Sequence, residues 1–189
     1  AVYNIGDKVI PGENTLTVKV KPFSIHAEIQ PVFILGNFST FPAKRGFTLH
    51  KAASLTLGSW DQQGMSFYPF GVEYSQTFKS ENTTAARYIV RLGKWDGTVA
   101  SVSVNGHDAG CIISAPFELD VTRYIEPDQN KISVTVIGSL KNAFGPHYGN
   151  HDLGAVSPWR FRNGHPGGYP AGIDYWTLPY GLYEPFSLV

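Results

Sequence analysis

Aromatic side chains stand next to amide, carboxylate and imidazole groups in three turn-rich segments of the chain. One segment follows Gly58, a second follows Lys141, and a third begins at Tyr175. Carbohydrate binding uses this mixture, because the apolar face of a pyranose stacks on an aromatic ring while polar side chains bond its hydroxyl groups. The candidate carbohydrate-binding residues are Trp60, Gln63, Tyr68, Asn142, His147, Tyr148, Trp159 and Trp176.

Packing in the core, or sealing the mouth of the domain, is the alternative role for each individual ring. The set as a whole favours a surface role, because loops rich in glycine and proline lie on protein surfaces. Trp95 is a poorer candidate, since a tryptophan beside a tight turn such as Asp96-Gly97 usually packs inward.

Carboxylates are present in number, but their spacing does not mark a catalytic pair. Glycoside hydrolysis needs an acid and a nucleophile or base on either side of the scissile bond. Asp120 lies in a predicted turn, where capping of backbone N–H groups accounts for it. A nucleophile elbow and a phosphate-binding loop are both missing from the sequence. We therefore predict that this chain is not catalytic by itself, and we assign no catalytic residue.

The histidines of the late segment do not form a convincing zinc site. His147 and His151 have helical spacing, yet Pro146 and Gly149 argue against the helix that would place them on one face. Cys111 is the only cysteine, which excludes a thiolate zinc site and an internal disulfide.

Charge and hydropathy exclude two classes of partner. The 15 basic residues balance the 15 acidic ones, and only 16% of residues are charged. Nucleic-acid binding leaves a basic footprint that this sequence lacks. The longest apolar runs, such as residues 32–35, are far too short to span a bilayer. We expect neither a nucleic-acid nor a membrane partner.

Period-two alternation of apolar and polar residues predicts an all-β fold. It recurs at residues 15–20, 73–78, 88–92, 99–104 and 131–137, and each run is bounded by turn residues. Asn105-Gly106 supplies the positive φ angles of a tight hairpin, so residues 99–104 should turn there and return through residues 111–113. Short strands at this spacing are typical of a β-sandwich.

A gapless internal repeat relates residues 9–20 to residues 125–136. Proline, asparagine and the apolar alternation coincide in the two copies, which lie 116 positions apart. Chance convergence of common turn chemistry is one explanation. We favour the other, in which residues 1–45 are the closing strand of a preceding module plus a linker, and residues 46–189 are a sandwich module.

Four motifs carry a resemblance to a known class of module. They are the hairpin Val102-Ser103-Val104-Asn105-Gly106, the turn Asp120-Val121-Thr122, the strand that contains Asn130, and residues 138–147. Together they resemble the galactose-binding-domain-like jelly-roll modules of bacterial glycoside hydrolases. The likeness covers residues 55–189 and is to the carboxy-terminal modules of family 2-like and α-L-rhamnosidase-like proteins.

The resemblance implies a jelly-roll β-sandwich that accompanies a catalytic (β/α)₈ barrel in the same parent chain. It also implies an oligo- or polysaccharide ligand and a secreted or periplasmic location in a bacterium. Sandwiches of this kind often hold a structural calcium ion, so we expect no cofactor other than, at most, that ion. Two rival functions stay open: a structural spacer without sugar binding, and a small polysaccharide-degrading enzyme built on the sandwich itself.

Overall fold

A computed structural model describes residues 2–27, 32–80, 87–147 and 170–189 of the chain. The chain divides into two compact units, Ala1–Leu35 and Gly36–Val189. The sequence placed a boundary after residue 45, whereas the second unit begins at Gly36. A β-hairpin spans the predicted position, so the residues on both sides of it belong to one unit.

The described residues of the first unit contain no β-strand. Leu16, Val18 and Val20 alternate as predicted, but their side chains are 58%, 57% and 38% exposed. A strand is held by hydrogen bonds to a neighbouring strand and by burial of one face. Within the described chain, residues 15–20 have no neighbouring strand and no buried face. They therefore carry the sequence pattern of a strand without the hydrogen bonds of a sheet.

The second unit is built from short antiparallel strands. The strands are β1 (Phe38–Pro42), β2 (Phe47–Lys51), β3 (Gly71–Ser80), β4 (Ile89–Arg91), β5 (Trp95–Asp96), β6 (Val99–Val104), β7 (His107–Ile112), β8 (Glu118–Asp120), β9 (Asp128–Ile137), β10 (Gly181–Leu182) and β11 (Ser187–Leu188). They pair into a four-stranded sheet in the order β3-β9-β6-β7, a three-stranded sheet in the order β11-β4-β8, and the pairs β1-β2 and β10-β5. One short helix, α1 (Lys141–Phe144), occurs in the described part of this unit.

The predicted hairpin joins β6 to β7. Asn105 and Gly106 have φ angles of 52° and 82°, as a two-residue hairpin turn requires. The register shifts between Val102 and Ser103. This irregularity adds twist at the edge of the sheet.

Alternate residues of β6 and β9 form one side of the hydrophobic core. Ala100, Val102 and Val104 of β6 are fully buried, as are three residues of β9. They pack in one cluster with Val90 of β4 and with Leu182 of β10. The four-stranded sheet takes β3, β6, β7 and β9 and the three-stranded sheet takes β4, β8 and β11, so the chain passes repeatedly between the two sheets. The prediction of an all-β sandwich with jelly-roll character is confirmed.

The turn after β8 confirms the structural role predicted for Asp120. Its Oδ1 accepts hydrogen bonds from the backbone N–H and the hydroxyl of Thr122, at 3.0 and 2.6 Å. Arg87 donates to Oδ2 at 2.8 Å. The Thr122 bonds first, and Arg87 second, lower the pKa of Asp120 to about 2.

Trp60 belongs to this core, with 1% of its surface exposed. Its Nε1 donates a hydrogen bond to the hydroxyl of Tyr74 on β3, at 2.8 Å. The rings of Tyr68 and Tyr180 lie 6.2 and 6.1 Å from the indole. The indole therefore joins the segment before β3 to β3 itself and to the segment before β10.

Replacing Trp60 by alanine should lower the free energy of unfolding by about 3–5 kcal/mol, because it leaves a large cavity and removes the hydrogen bond from the indole to Tyr74. Urea denaturation of the full chain measures the loss. The matched control is Phe70→Ala, which truncates a ring that is 67% exposed and should change stability by less than about 0.5 kcal/mol. Equal effects in the two variants would contradict the placement of Trp60 in the core.

Candidate functional site

The predicted binding residues do not all meet at one surface. Trp60 is buried, so neither face of its indole is open to a sugar, and the stacking role predicted for it is corrected to a core role. Asn142 is 2% exposed. Its amide donates to the carbonyl of Leu178 at 2.9 Å and accepts from the backbone N–H of Leu178 at 2.7 Å. The predicted sugar contact of Asn142 is likewise corrected, because both ends of the amide hold backbone.

Gln63 and Tyr68 are also engaged inside the protein. The Gln63 carbonyl accepts from the backbone N–H and the hydroxyl of Thr56, and its NH₂ donates to the carbonyl of Ser59 at 3.1 Å. The Tyr68 hydroxyl donates to the carbonyl of Gly71 at 3.2 Å. Both side chains are half-buried and support the loop around Trp60. The predictions for Tyr148 and Trp159 fall outside the described residues.

Trp176 does line a cleft, of about 400 Å³. Three parts of the chain form it: the β1-β2 hairpin, the turn that follows Trp60, and the segment that follows Gly172. Its aromatic wall consists of Phe41, Phe47, Tyr175 and Trp176, and its polar wall of Asp61, Gln62, Ser66 and Thr177. The cleft therefore combines rings with hydrogen-bonding groups, as a sugar site requires.

Close backbone packing at Gly172 forms one side of the cleft. A Cβ atom there would lie 2.2 Å from the carbonyl oxygen of Gly46 and 2.6 Å from the Cα of Pro42. The Gly172 N–H donates to the carbonyl of Ala43 at 2.8 Å. Any larger residue would push the 172–177 segment away from the hairpin, because the atoms it meets are backbone.

Buried Trp60 positions the polar wall. Asp61 and Gln62 follow it directly in a 3₁₀ turn, which ends at Gly64 with a φ of 87°. The Asp61 carboxylate accepts hydrogen bonds from the hydroxyls of Ser59 and Thr177, the latter at 2.9 Å. The turn and the 172–177 segment are thereby joined across the polar wall. Each carboxylate oxygen has lone pairs beyond these bonds, so Asp61 can accept from a ligand hydroxyl.

Aromatic rings continue from the cleft toward the end of α1. Phe47 meets Phe67 and Tyr175 edge to face, with centroids 4.6 and 5.0 Å apart. His147 lies 5.2 Å from Phe67 and 5.9 Å from Tyr175. The ring of His147, a predicted sugar ligand, thus supports the wall behind Tyr175.

Lys141 of α1 lies against Trp176. Its Nζ is 4.2 Å from the centroid of the indole, a cation–π distance. It also donates to the carbonyls of Pro146 and Trp176, at 2.5 and 3.3 Å. Burial lowers the pKa of this ammonium group. The contact holds the indole that the cleft exposes.

Part of the site was visible in the sequence. The composition of Tyr175-Trp176 and of the polar residues after Trp60 marks them in the sequence as candidates. Phe41, Phe47 and Thr177 carry no such mark, because only the packing of the hairpin against the 172–177 segment brings them to the cleft. From sequence alone, an aromatic residue in a short strand that lines a cleft cannot be distinguished from one that packs in the core.

Metal-ligating side chains are scattered over the described parts of the chain. No group of three or more histidine, cysteine, aspartate or glutamate side chains lies together there. The expectation of a calcium ion stays a prediction, since backbone oxygens are calcium ligands as well. No helix in the described ranges has the length and apolar character needed to cross a bilayer.

The pKa of His147 is lowered by burial, with a smaller opposing effect from the hydrogen bond of Nε2 to the carbonyl of Asn142 at 2.7 Å. As pH falls below about 6.5, the unfolded chain gains a proton that the folded chain does not. Stability should therefore be unaffected by this ring above pH 7 and decrease below 6.5, by less than about 1.4 kcal/mol per pH unit because the ring is partly exposed. Urea denaturation at pH 7.5, 6.5 and 5.5 measures the trend.

His147→Gln is the control for that titration, because glutamine keeps a donor and does not take up a proton. The variant should lose less stability than the parent chain between pH 6.5 and 5.5. Parallel curves for the two proteins would show that other groups cause the change.

No family model matches the chain. A predicted β-glucuronidase of Formosa agariphila is 28% identical over 133 residues, which make up 67% of this chain and 11% of that protein.

Solved structures give similar matches. A rhamnosidase of Novosphingobium sp. is 23% identical with a TM-score of 0.49, over 88% of this chain and 16% of that one. A GH2 β-galacturonidase of Eisenbergiella tayi, bound to glycerol, is 22% identical with a TM-score of 0.36, over 58% and 18% of the two chains. A β-glucuronidase of Bifidobacterium dentium is 16% identical with a TM-score of 0.43, over 79% and 28%.

The four proteins named here are described as glycoside hydrolases. The chain spans 11% of the F. agariphila protein and between 16% and 28% of the three solved chains. The resemblance seen in the sequence is confirmed at this level: the chain is a small all-β domain that matches a minor part of a much larger glycoside hydrolase relative.

Proposed function

We propose that this chain is a non-catalytic accessory module of a glycoside hydrolase and that its cleft holds a carbohydrate chain. The similar proteins are glycoside hydrolases that are several times longer than this chain. The catalytic barrel would then lie elsewhere in the parent polypeptide, and a polysaccharide substrate would place that parent in the periplasm or outside the cell.

One observation carries the proposal: Trp176 and Tyr175 line the same cleft as Asp61, Gln62 and Thr177. An indole or phenol ring offers a flat apolar surface to the C–H face of a pyranose, and the polar groups offer donors and acceptors to its hydroxyls. The volume of about 400 Å³ lies within the range of small-molecule sites.

Binding fits this cleft better than hydrolysis does. Asp61 is the one carboxylate among the described lining residues. Glycosidases need two carboxyl groups, separated by about 5 to 10 Å, on either side of the bond. A single carboxylate that already accepts bonds from Ser59 and Thr177 is suited to hold a hydroxyl group.

The test is Trp176→Ala in the full chain, with binding measured by affinity electrophoresis in gels that contain plant or bacterial polysaccharides. Loss of a stacking ring removes about 1–2 kcal/mol of binding free energy, so binding should weaken roughly 5–30-fold. Trp176→Phe keeps an apolar ring and should lose less. Phe70→Ala, which removes an exposed ring that does not line the cleft, should bind as the parent chain does.

Melting temperatures of the same variants separate a loss of binding from a loss of structure. If Trp176→Ala is retained by every polysaccharide as strongly as the parent chain is, the cleft does not bind carbohydrate. If the parent chain binds no polysaccharide, the module would be assigned the role of a structural spacer. Release of reducing ends from a polysaccharide would instead indicate a catalytic sandwich.

A further inference from the structure

The first unit contains a segment whose sequence and local geometry match β9 of the second unit. Residues 9–20 and 125–136 align without gaps, with four identical residues in the twelve positions. The apolar residues Leu16, Val18 and Val20 correspond to Ile132, Val134 and Val136. The match therefore includes all three apolar positions that β9 turns toward the core.

An asparagine side chain closes the turn in the same way in both copies. In the second unit, Asn130 accepts from the backbone N–H of Glu126 at 2.8 Å and donates to its carbonyl at 2.9 Å. In the first unit, Asn14 accepts from the backbone N–H of Ile10 at 3.0 Å and donates to its carbonyl at 2.7 Å. The atoms correspond one for one, so the local turn forms with or without a sheet beside it.

The backbone of the turn agrees as well. Asp128 has a φ of 76°, and its counterpart Gly12 has a φ of 101°. Both follow a proline, and both occupy the region of positive φ that favours glycine. Two independent features of the turn are thus shared by segments that lie in different compact units.

The surroundings of the two copies differ completely. β9 pairs with β3 on one side and β6 on the other, and Ile132, Val134 and Val136 are fully buried. Leu16, Val18 and Val20 are largely exposed, and no described residue pairs with them in a sheet. The copy in the first unit therefore has the sequence and the turn of a central strand, but no described strand lies on either side of it.

We propose that residues 9–20 form the central strand of a second β-sandwich, whose other strands come from a domain that precedes this chain in a longer polypeptide. That domain would offer two antiparallel strand edges and an apolar layer that accepts Leu16, Val18 and Val20. A second copy of this chain offers no such position, because its own β9 already fills the slot between β3 and β6. The proposal is independent of the carbohydrate cleft.

The first test is a graft in which residues 125–136 of the full chain are replaced by the sequence of residues 9–20. Among the three core positions only Ile132 changes, to leucine, and threonine replaces Ser133 with its hydroxyl kept. The other six of the eight changes fall at exposed or half-buried positions. Conservative changes of this kind in the core are well tolerated, so the melting temperature should shift by less than about 6 °C. Ile132→Leu alone is the control. A graft that fails to fold while the control folds would overturn the equivalence.

The second test is hydrogen exchange on the natural polypeptide that includes the 120 or so residues upstream, a span set by the 116-residue repeat distance. The amides of residues 16–20 should exchange at least about 100-fold more slowly there than in the present chain, because a paired strand opens only with its sheet. All five should be protected, since a central strand is bonded on both sides and an edge strand only at alternate residues.

Three outcomes for the longer polypeptide would overturn the inference. They are equal exchange in the two proteins, protection of alternate amides only, and a natural gene with no upstream domain. Protection that depends on the concentration of the present chain would assign the strand to a second copy, and so would also overturn it. Polysaccharide retention by the present chain is measured separately, so its failure leaves this result unchanged.

Discussion

The placement of β9 between β3 and β6 is the constraint on which the rest of the second unit depends. All ten of its residues pair with β3, and six pair with β6. Its inward residues are fully buried against the opposite layer. A one-residue slip would turn Ile132, Val134 and Val136 outward and break the core. Asn130 fixes the register at the start of the strand, since it bonds the turn before β9 and the Asn105 side chain at the end of β6.

The cleft depends on this core through Trp60. The indole is bonded to Tyr74 of β3, so the turn that carries Asp61 and Gln62 is held to the main sheet. The opposite side depends on Gly172, where the absence of a Cβ lets two backbone segments touch. Trp60, which the sequence predicts to bind sugar, therefore supports the site indirectly by holding the residues that line it.

The two walls of the cleft are supported in different ways. The rings of Phe47, Tyr175 and Trp176 give the cleft an apolar wall, and Lys141 and His147 lie behind that wall. Burial lowers the pKa of both of these groups. The polar wall is anchored by the bond between Asp61 and Thr177, which are 116 positions apart in the chain.

The sequence by itself determined the all-β fold, the hairpin at Asn105-Gly106 and the capping role of Asp120, because period-two alternation and turn chemistry are local properties. It also determined the turn shared by residues 9–20 and 125–136, which forms from a proline, a residue with positive φ and one asparagine. Only the tertiary structure decided that Trp60 and Asn142 are buried while Trp176 lines a cleft. An aromatic or amide side chain is recognised as ligand-binding or structural by what packs against it, and those contacts come from segments far apart in the sequence.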